Sequence, residues 1–260
     1  MKTSFSQLTF FLTIILLGLN ACSANKTTSH HHSVTSGSAD KTKVIDLKAI
    51  QPLASMLPKL KSARTVLVGE LHTNYAHHLN QLAVIKSAHR NWGKNTSIGL
   101  EMVQQPYQRY LDDYVAGKIS ERDMLRGVQW YDRWKYDFRL YRPIFKYAKQ
   151  HKIPLIGLNI PAELTKRISK VGIKGLTPTE RKQLPKTLDK SNPAYLERLK
   201  GVFSMHSHGY KSSKGFDKFL DSQLAWDEGM AFAATNYLKR NPTKRMVILA
   251  GGGHIIKREG

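Results

Sequence analysis

The chain has 260 residues, 41% of them hydrophobic, with 41 Lys+Arg against 19 Asp+Glu and a formal net charge of +22. A single cysteine excludes an intramolecular disulfide. A charge this large calls for anionic partners. Nucleic acid is not expected, because none of its usual binding motifs is present, which leaves anionic lipid headgroups, lipopolysaccharide and carboxylate-bearing ligands.

Met1-Lys2-Thr3 is a short positive start, and Phe10 to Leu19 is an almost unbroken apolar run. Leu19-Asn20-Ala21-Cys22 closes it with a small residue directly before the cysteine. That order marks a secretion signal. The run is shorter than the roughly 20 residues of a membrane span. Its end resembles the lipobox of bacterial lipoproteins, so residues 1–21 are expected to be removed and Cys22 to carry acyl chains. Ser23 stands where an acidic residue would argue for inner-membrane retention, so the expected address is the outer membrane. Residues 22–42 are rich in Ser, Thr, His and Gly and read as a flexible tether, with His30-His31-His32 as a solvated run inside it. The globular part is expected over residues 43–260.

Arg64 to Gly69 is a short apolar run that predicts a buried strand. Ala76 to Trp92 has helical spacing of its apolar residues. Ser97 to Val103 predicts a second strand. Pro106 to Val115 and Ser120 to Arg126 predict short helices, the latter capped by Ser120 with Asp123 in the first turn. Leu140 to His151 predicts a helix that tolerates Pro143 near its start, Ile153 to Leu158 a third strand, and Pro161 to Ser169 a helix. A polar connection over Gly172 to Pro193 contains a helix start at Thr177. Ala194 to Met205 and Gly215 to Arg240 predict helices. Arg245 to Ala250 is a fourth strand, ended by Gly251-Gly252-Gly253. Strands separated by helices predict a single α/β domain with a mostly parallel sheet covered by helices.

In such sheets functional groups collect past the C-terminal ends of the strands. Glu70 and His72 follow the first strand, Glu101 ends the second, Asn159 follows the third and His254 follows the fourth. If these strands are neighbours, Glu70, His72, Glu101 and His254 share one mouth. Two imidazoles and two carboxylates suit a divalent metal such as Zn²⁺ or Mn²⁺. They equally suit metal-free acid/base chemistry, with a carboxylate fixing a histidine tautomer.

Val66 to His72, Gly99 to Met102, Leu140 to Ile144, Pro154 to Asn159, Gln223 to Ala231 and Gly251 to His254 occur in the order seen in ChaN-like lipoproteins, and the chain resembles that family nearly throughout its globular part. The family belongs with the TraB/Tiki superfamily and is similar to erythromycin-esterase-like proteins at the Gly-Glu-x-His motif. The resemblance implies haem binding and iron uptake. It also implies a cofacial haem pair held between the two subunits of a homodimer, with tyrosine ligation and histidine support, and a possible outer-membrane haem receptor as partner. Candidate ligands are Tyr210 or Tyr131, with His206 or His208 holding propionates or completing the axial set. Trp130 to Trp134 offers aromatic surface. Tyr107, Tyr110 and Tyr114 lie at roughly helical spacing, which favours half-buried packing groups. The alternative implied by the wider superfamily is a metal-dependent hydrolase, protease or esterase-like, built on Glu70, His72, Glu101 and His254. Chains of the family usually continue past the Gly-Gly-Gly-His motif, whereas this one stops at Gly260, so either a truncated C-terminus or a short variant of the family is expected.

Metabolic labelling with a palmitate analogue is expected to mark the wild-type chain and to be lost in Cys22→Ala. Equal labelling of the two would remove the anchor.

Overall fold

Four apolar segments form one all-parallel sheet in the order β1-β4-β2-β3. They are β1 (Thr65–Glu70), β2 (Thr96–Gln104), β3 (Leu155–Asn159) and β4 (Arg245–Gly251). The computed structural model describes residues 52–206 and 213–255. Ahead of β1 lies α1 (Leu53–Met56); α2 (Tyr75–Trp92) joins β1 to β2. Between β2 and β3 run α3 (Gln108–Ala116), α4 (Glu121–Gly127), α5 (Trp130–Arg133) and α6 (Phe138–Gln150). Between β3 and β4 run α7 (Ala162–Val171), α8 (Pro178–Arg181), α9 (Pro193–His206) and α10 (Ser213–Arg240). Among the described residues no helix is long and apolar enough to cross a membrane.

Every residue of the central strand β2 is buried, as expected for a parallel strand covered on both faces. Successive side chains alternate between the two layers. Leu155, Val247 and Leu249 join Val84 and Ile85 of α2 and Phe145 of α6 on one face. Ile156, Leu158 and Met246 join Met230, Ala234 and Leu238 of α10 on the other. The aromatic heart of the first layer is Trp130, Phe138 and Phe145, whose rings meet edge-on at centroid distances of 5.1 to 5.7 Å. Burial of one such ring contributes about 3–5 kcal/mol.

The edge strand β3 is closed by side-chain amides. Gln108 Oε1 accepts from the Gly157 N–H at 2.8 Å, its Nε2 donates to the Leu155 carbonyl at 2.7 Å, and Gln105 Nε2 donates to the Leu158 carbonyl at 2.9 Å. These bonds take up backbone groups that would otherwise template another chain.

All four predicted strands are present and share the sheet. Ser120 caps α4 as predicted, its Oγ accepting from the Asp123 N–H at 3.1 Å, and Thr177 and Glu180 form a reciprocal capping box on α8. Three expectations need correction. β1, expected as a buried strand, lies at the sheet edge and is only partly covered, with Leu67 54% exposed. The helix expected from Leu140 begins at Phe138, because Asp137 caps it by accepting from the Arg139 N–H at 2.9 Å. Pro143 therefore lies inside α6 and removes the hydrogen bond that would run to the Arg139 carbonyl. Trp130 to Trp134 is not a continuous aromatic surface. Trp130 is 1% exposed and donates its indole N–H to the Tyr136 carbonyl, whereas Tyr131 is 59% exposed.

Candidate functional site

The register of the sheet sets the site. Glu70 at the end of β1 lies beside Gly251 at the end of β4, and Leu100 of β2 lies beside Leu249, so Glu101 is level with the glycine run. Glu70, His72, Glu101 and His254 are thereby brought together. A Cβ on Gly251 would come within 2.9 Å of His72 Cε1 and 3.6 Å of Glu101 Oε2, so the two groups close over a backbone with no side chain.

Glu70 is 3% exposed. Its Oε1 accepts from His72 Nδ1 at 2.7 Å and from the Tyr141 hydroxyl at 3.1 Å, and its Oε2 lies 3.4 Å from His78 Nε2. The hydrogen bond to Glu70 raises the His72 pKa against the opposing effect of burial, and the charges of Glu70 and Glu101 add to the rise. With Nδ1 held by the carboxylate, His72 Nε2 makes no hydrogen bond among the described residues and is the nitrogen free to exchange a proton with a bound molecule. Trp134 and Tyr136 pack on the imidazole at centroid distances of 4.7 Å. Burial pushes the Tyr141 hydroxyl far above its ordinary range, with Glu70 adding to the rise, so it remains a donor.

The second half of the cluster is a longer relay. Glu101 Oε2 accepts from the Gly251 N–H at 2.6 Å, and Oε1 lies 3.3 Å from His254 Nε2. His254 Nδ1 is bonded to Asp227 Oδ1, and Asp227 Oδ2 accepts from the Tyr195 hydroxyl at 2.7 Å. Burial alone would lower the His254 pKa, but the hydrogen bonds and charges of Asp227 and Glu101 raise it to about 10. Burial would likewise raise the pKa of Glu101, yet His254 and the Gly251 N–H hold it below the ordinary carboxylate range. His254 is therefore a fixed imidazolium near neutral pH, with both nitrogens engaged.

These pairs bear on the two chemical expectations. Among the described residues no group of three or more His, Cys, Asp or Glu is arranged to hold a metal ion, and the expected metal site is unsupported. The imidazoles and carboxylates face one another instead. The acid/base expectation retains His72, with its carboxylate and its free nitrogen. Asp227, Tyr141, Tyr195 and His78 were not singled out as site residues in the sequence. Asp227 stood inside the Gln223 to Ala231 segment, and its position facing His254 depends on the packing of α10.

A cavity of about 830 Å³ opens above the cluster, within the usual size of small-molecule sites. His72, Glu101 and His254 lie at its base, and Asn159 from the end of β3 joins them.

Of the haem-ligand candidates, Tyr131 lies elsewhere. On α5, it lines a separate cavity of about 500 Å³ with Arg122, Leu125 and Arg126. Tyr114 is 2% exposed and its hydroxyl is pushed up to about 12, mainly by burial; Tyr107 and Tyr110 are half-buried, with Arg133 and Arg109 over their rings. All three are packing groups. Cys22, His208, Tyr210 and the side chain of His206 lie outside the described residues.

A family model described as haem-binding uptake, Tiki superfamily, ChaN, matches residues 56–260. This chain belongs to that family. ChaN of Campylobacter jejuni, in a structure of its cofacial haem binding, superposes with a TM-score of 0.63 at 19% identity, over 79% of this chain and 76% of that one. The α/β fold of the ChaN family is thus the fold of this chain. An erythromycin esterase mutant, EreC, in its open conformation gives a TM-score of 0.43 at 17% identity, over 76% of this chain and 63% of that one. No curated protein matches the sequence.

A folded pKa near 10 against the ordinary 6.5 means that the folded state favours the charged imidazole. The resulting stabilisation is complete below pH about 6.5 and is lost as the pH rises through about 10. His254→Gln is expected to cost about 3 kcal/mol near pH 6, with the difference from wild type shrinking steadily towards pH 10. Urea denaturation of both proteins across this range checks it, and a difference that grows with pH would contradict it.

Proposed function

We propose that this chain is a lipid-anchored envelope protein that binds haem for iron acquisition, with the haem held between two copies of the chain. The observation that carries the reading is membership of the haem-binding uptake family over residues 56–260.

The face around α5 supports it. Tyr131 is the one described candidate tyrosine whose side chain is open to solvent. A phenolate oxygen is a hard ligand that favours ferric iron. The exposed Arg122 and Arg126 stand beside it, with the apolar side chain of Leu125 between them, so a propionate-bearing macrocycle would find cations and apolar surface together. Buried Trp130 anchors the short helix that presents Tyr131. Haem has two large apolar faces, and one open cavity covers at most one of them. Covering the second with another copy of the chain couples binding to dimerisation. Tyr210 is the other candidate ligand, with His206 and His208 beside it in sequence. A basic chain carrying acyl groups at Cys22 has the two attractions that stable membrane attachment requires. Transfer to or from an outer-membrane receptor belongs to the same reading.

Haem titration followed by absorbance, with mass measured in parallel, tests it. The expected result is a tyrosinate-type ferric spectrum and a shift from monomer to dimer, with the spectrum lost in Tyr131→Phe or in Tyr210→Phe. Binding no tighter than to an unrelated basic protein, with the mass monomeric throughout, would overturn the proposal.

A further inference from the structure

The cavity above the sheet mouth has features that a haem face on α5 leaves unused. Asn159 Nδ2 donates to the Glu101 carbonyl at 3.1 Å, which fixes the orientation of the amide. Its Oδ1 is then an acceptor, fully buried and without a hydrogen-bond partner among the described residues. A buried orphan acceptor is costly unless something donates to it. Asn159 lines the cavity together with His72, whose Nε2 is also unpartnered. The other polar groups at the base are already matched, since both oxygens of Glu101 and both nitrogens of His254 are engaged. The base therefore offers a buried acceptor at Asn159 Oδ1 and, at His72 Nε2, a nitrogen that accepts when the ring is neutral and donates when it is charged. Beside them is the indole N–H of Trp134, unpartnered among the described residues.

The walls are of a different kind. Trp134 and Tyr136 stand on one side, and Phe219 and Trp226 of α10 on the other, with Ile160 between. At the outer part of the lining are Lys166 on α7 and Lys218 on α10, both exposed and with no ion-pair partner among the described residues. An occupant matching all three zones has a hydroxyl or N–H at its inner end, an aromatic or aliphatic body, and an anionic outer end. The volume of about 830 Å³ is large enough for such a molecule.

We infer that this cavity is a second small-molecule site, separate from the haem face, for apolar anions that carry a hydrogen-bond donor at the buried end. The separation rests on the haem reading given above with Tyr131 as the ligand; the ligand class rests on the cavity alone. The anion can be a carboxylate, phosphate or sulfonate, since the two lysines recognise charge without bidentate geometry.

The probe is 6-hydroxynaphthalene-2-sulfonate, a fluorescent aromatic body with a hydroxyl at one end and a sulfonate at the other. Fluorescence titration of the full chain is compared with Thr165→Phe, which fills the cavity from α7, and with the double variant Lys166→Glu/Lys218→Glu. Thermal melting verifies that each is folded. The expected result is saturable one-to-one binding in the wild type and loss of binding in Thr165→Phe. The lysine variant is expected to bind about tenfold more weakly, as fits two exposed charge contacts, and haem titrations of both variants should be unchanged. If Thr165→Phe fails to fold, the lysine variant decides, because both of its positions are exposed. Absence of saturable binding, or wild-type affinity in a folded variant, would overturn the site. Stoichiometric displacement of the probe by haem would overturn its separateness, and would do so while leaving haem binding itself intact.

Discussion

A buried carboxylate at the end of a central strand must be met by donors, and the way Glu101 is met organises this molecule. One oxygen takes the Gly251 N–H and the other faces His254. The first contact requires β4 to end in glycine, because a side chain at Gly251 would strike His72. The second requires His254 to be charged, and its other nitrogen then needs the carboxylate of Asp227 from α10. Asp227 in turn takes the Tyr195 hydroxyl from α9. Isolated charges at this depth would cost several kcal/mol each; linked in sequence they hold β2, β4, α9 and α10 in one arrangement. In a chain with 41 basic and 19 acidic residues, Glu70, Glu101 and Asp227 are gathered at a single point.

That arrangement fixes a base and leaves room above it. On the β1 side, Glu70 orients His72 and Tyr141 donates to the same carboxylate oxygen, so the imidazole keeps one nitrogen for a bound molecule. Four-residue α5 turns Trp130 into the core and Tyr131 out to solvent. Neighbouring residues thus do opposite work, one supplying stability and the other a candidate ligand. Tyr131 of α5 lines one cavity and Arg133, at the end of the same short helix, lines the other, so α5 stands between them.

Much of the fold was legible from the sequence because parallel strands covered by helices appear as short apolar runs, and all four strands were such runs, although edge strand β1 is only partly buried. The convergence of Glu70, His72, Glu101 and His254 was legible for the same reason, since it follows from strand ends alone. What was not legible depends on packing. Asp227 lies in the middle of a 28-residue helix, where local pattern gives no sign that it faces His254. The burial of Trp130 beside exposed Tyr131 is set by a left-handed residue, Gln129 at φ 54, just ahead of α5. The metal expectation drew on residue types without their pairing; once the carboxylates and imidazoles face one another, no group of three remains to share an ion among the described residues.

The central claim is that His254 is a permanent cation linking Glu101 to Asp227. Nitrogen-15 NMR of the His254 ring, assigned by comparison with His254→Gln, tests it directly. Between about pH 6 and pH 8, where an ordinary histidine loses its proton, both ring nitrogens should stay protonated and their shifts should not move. A titration of His254 with a midpoint near the ordinary 6.5 would contradict the account.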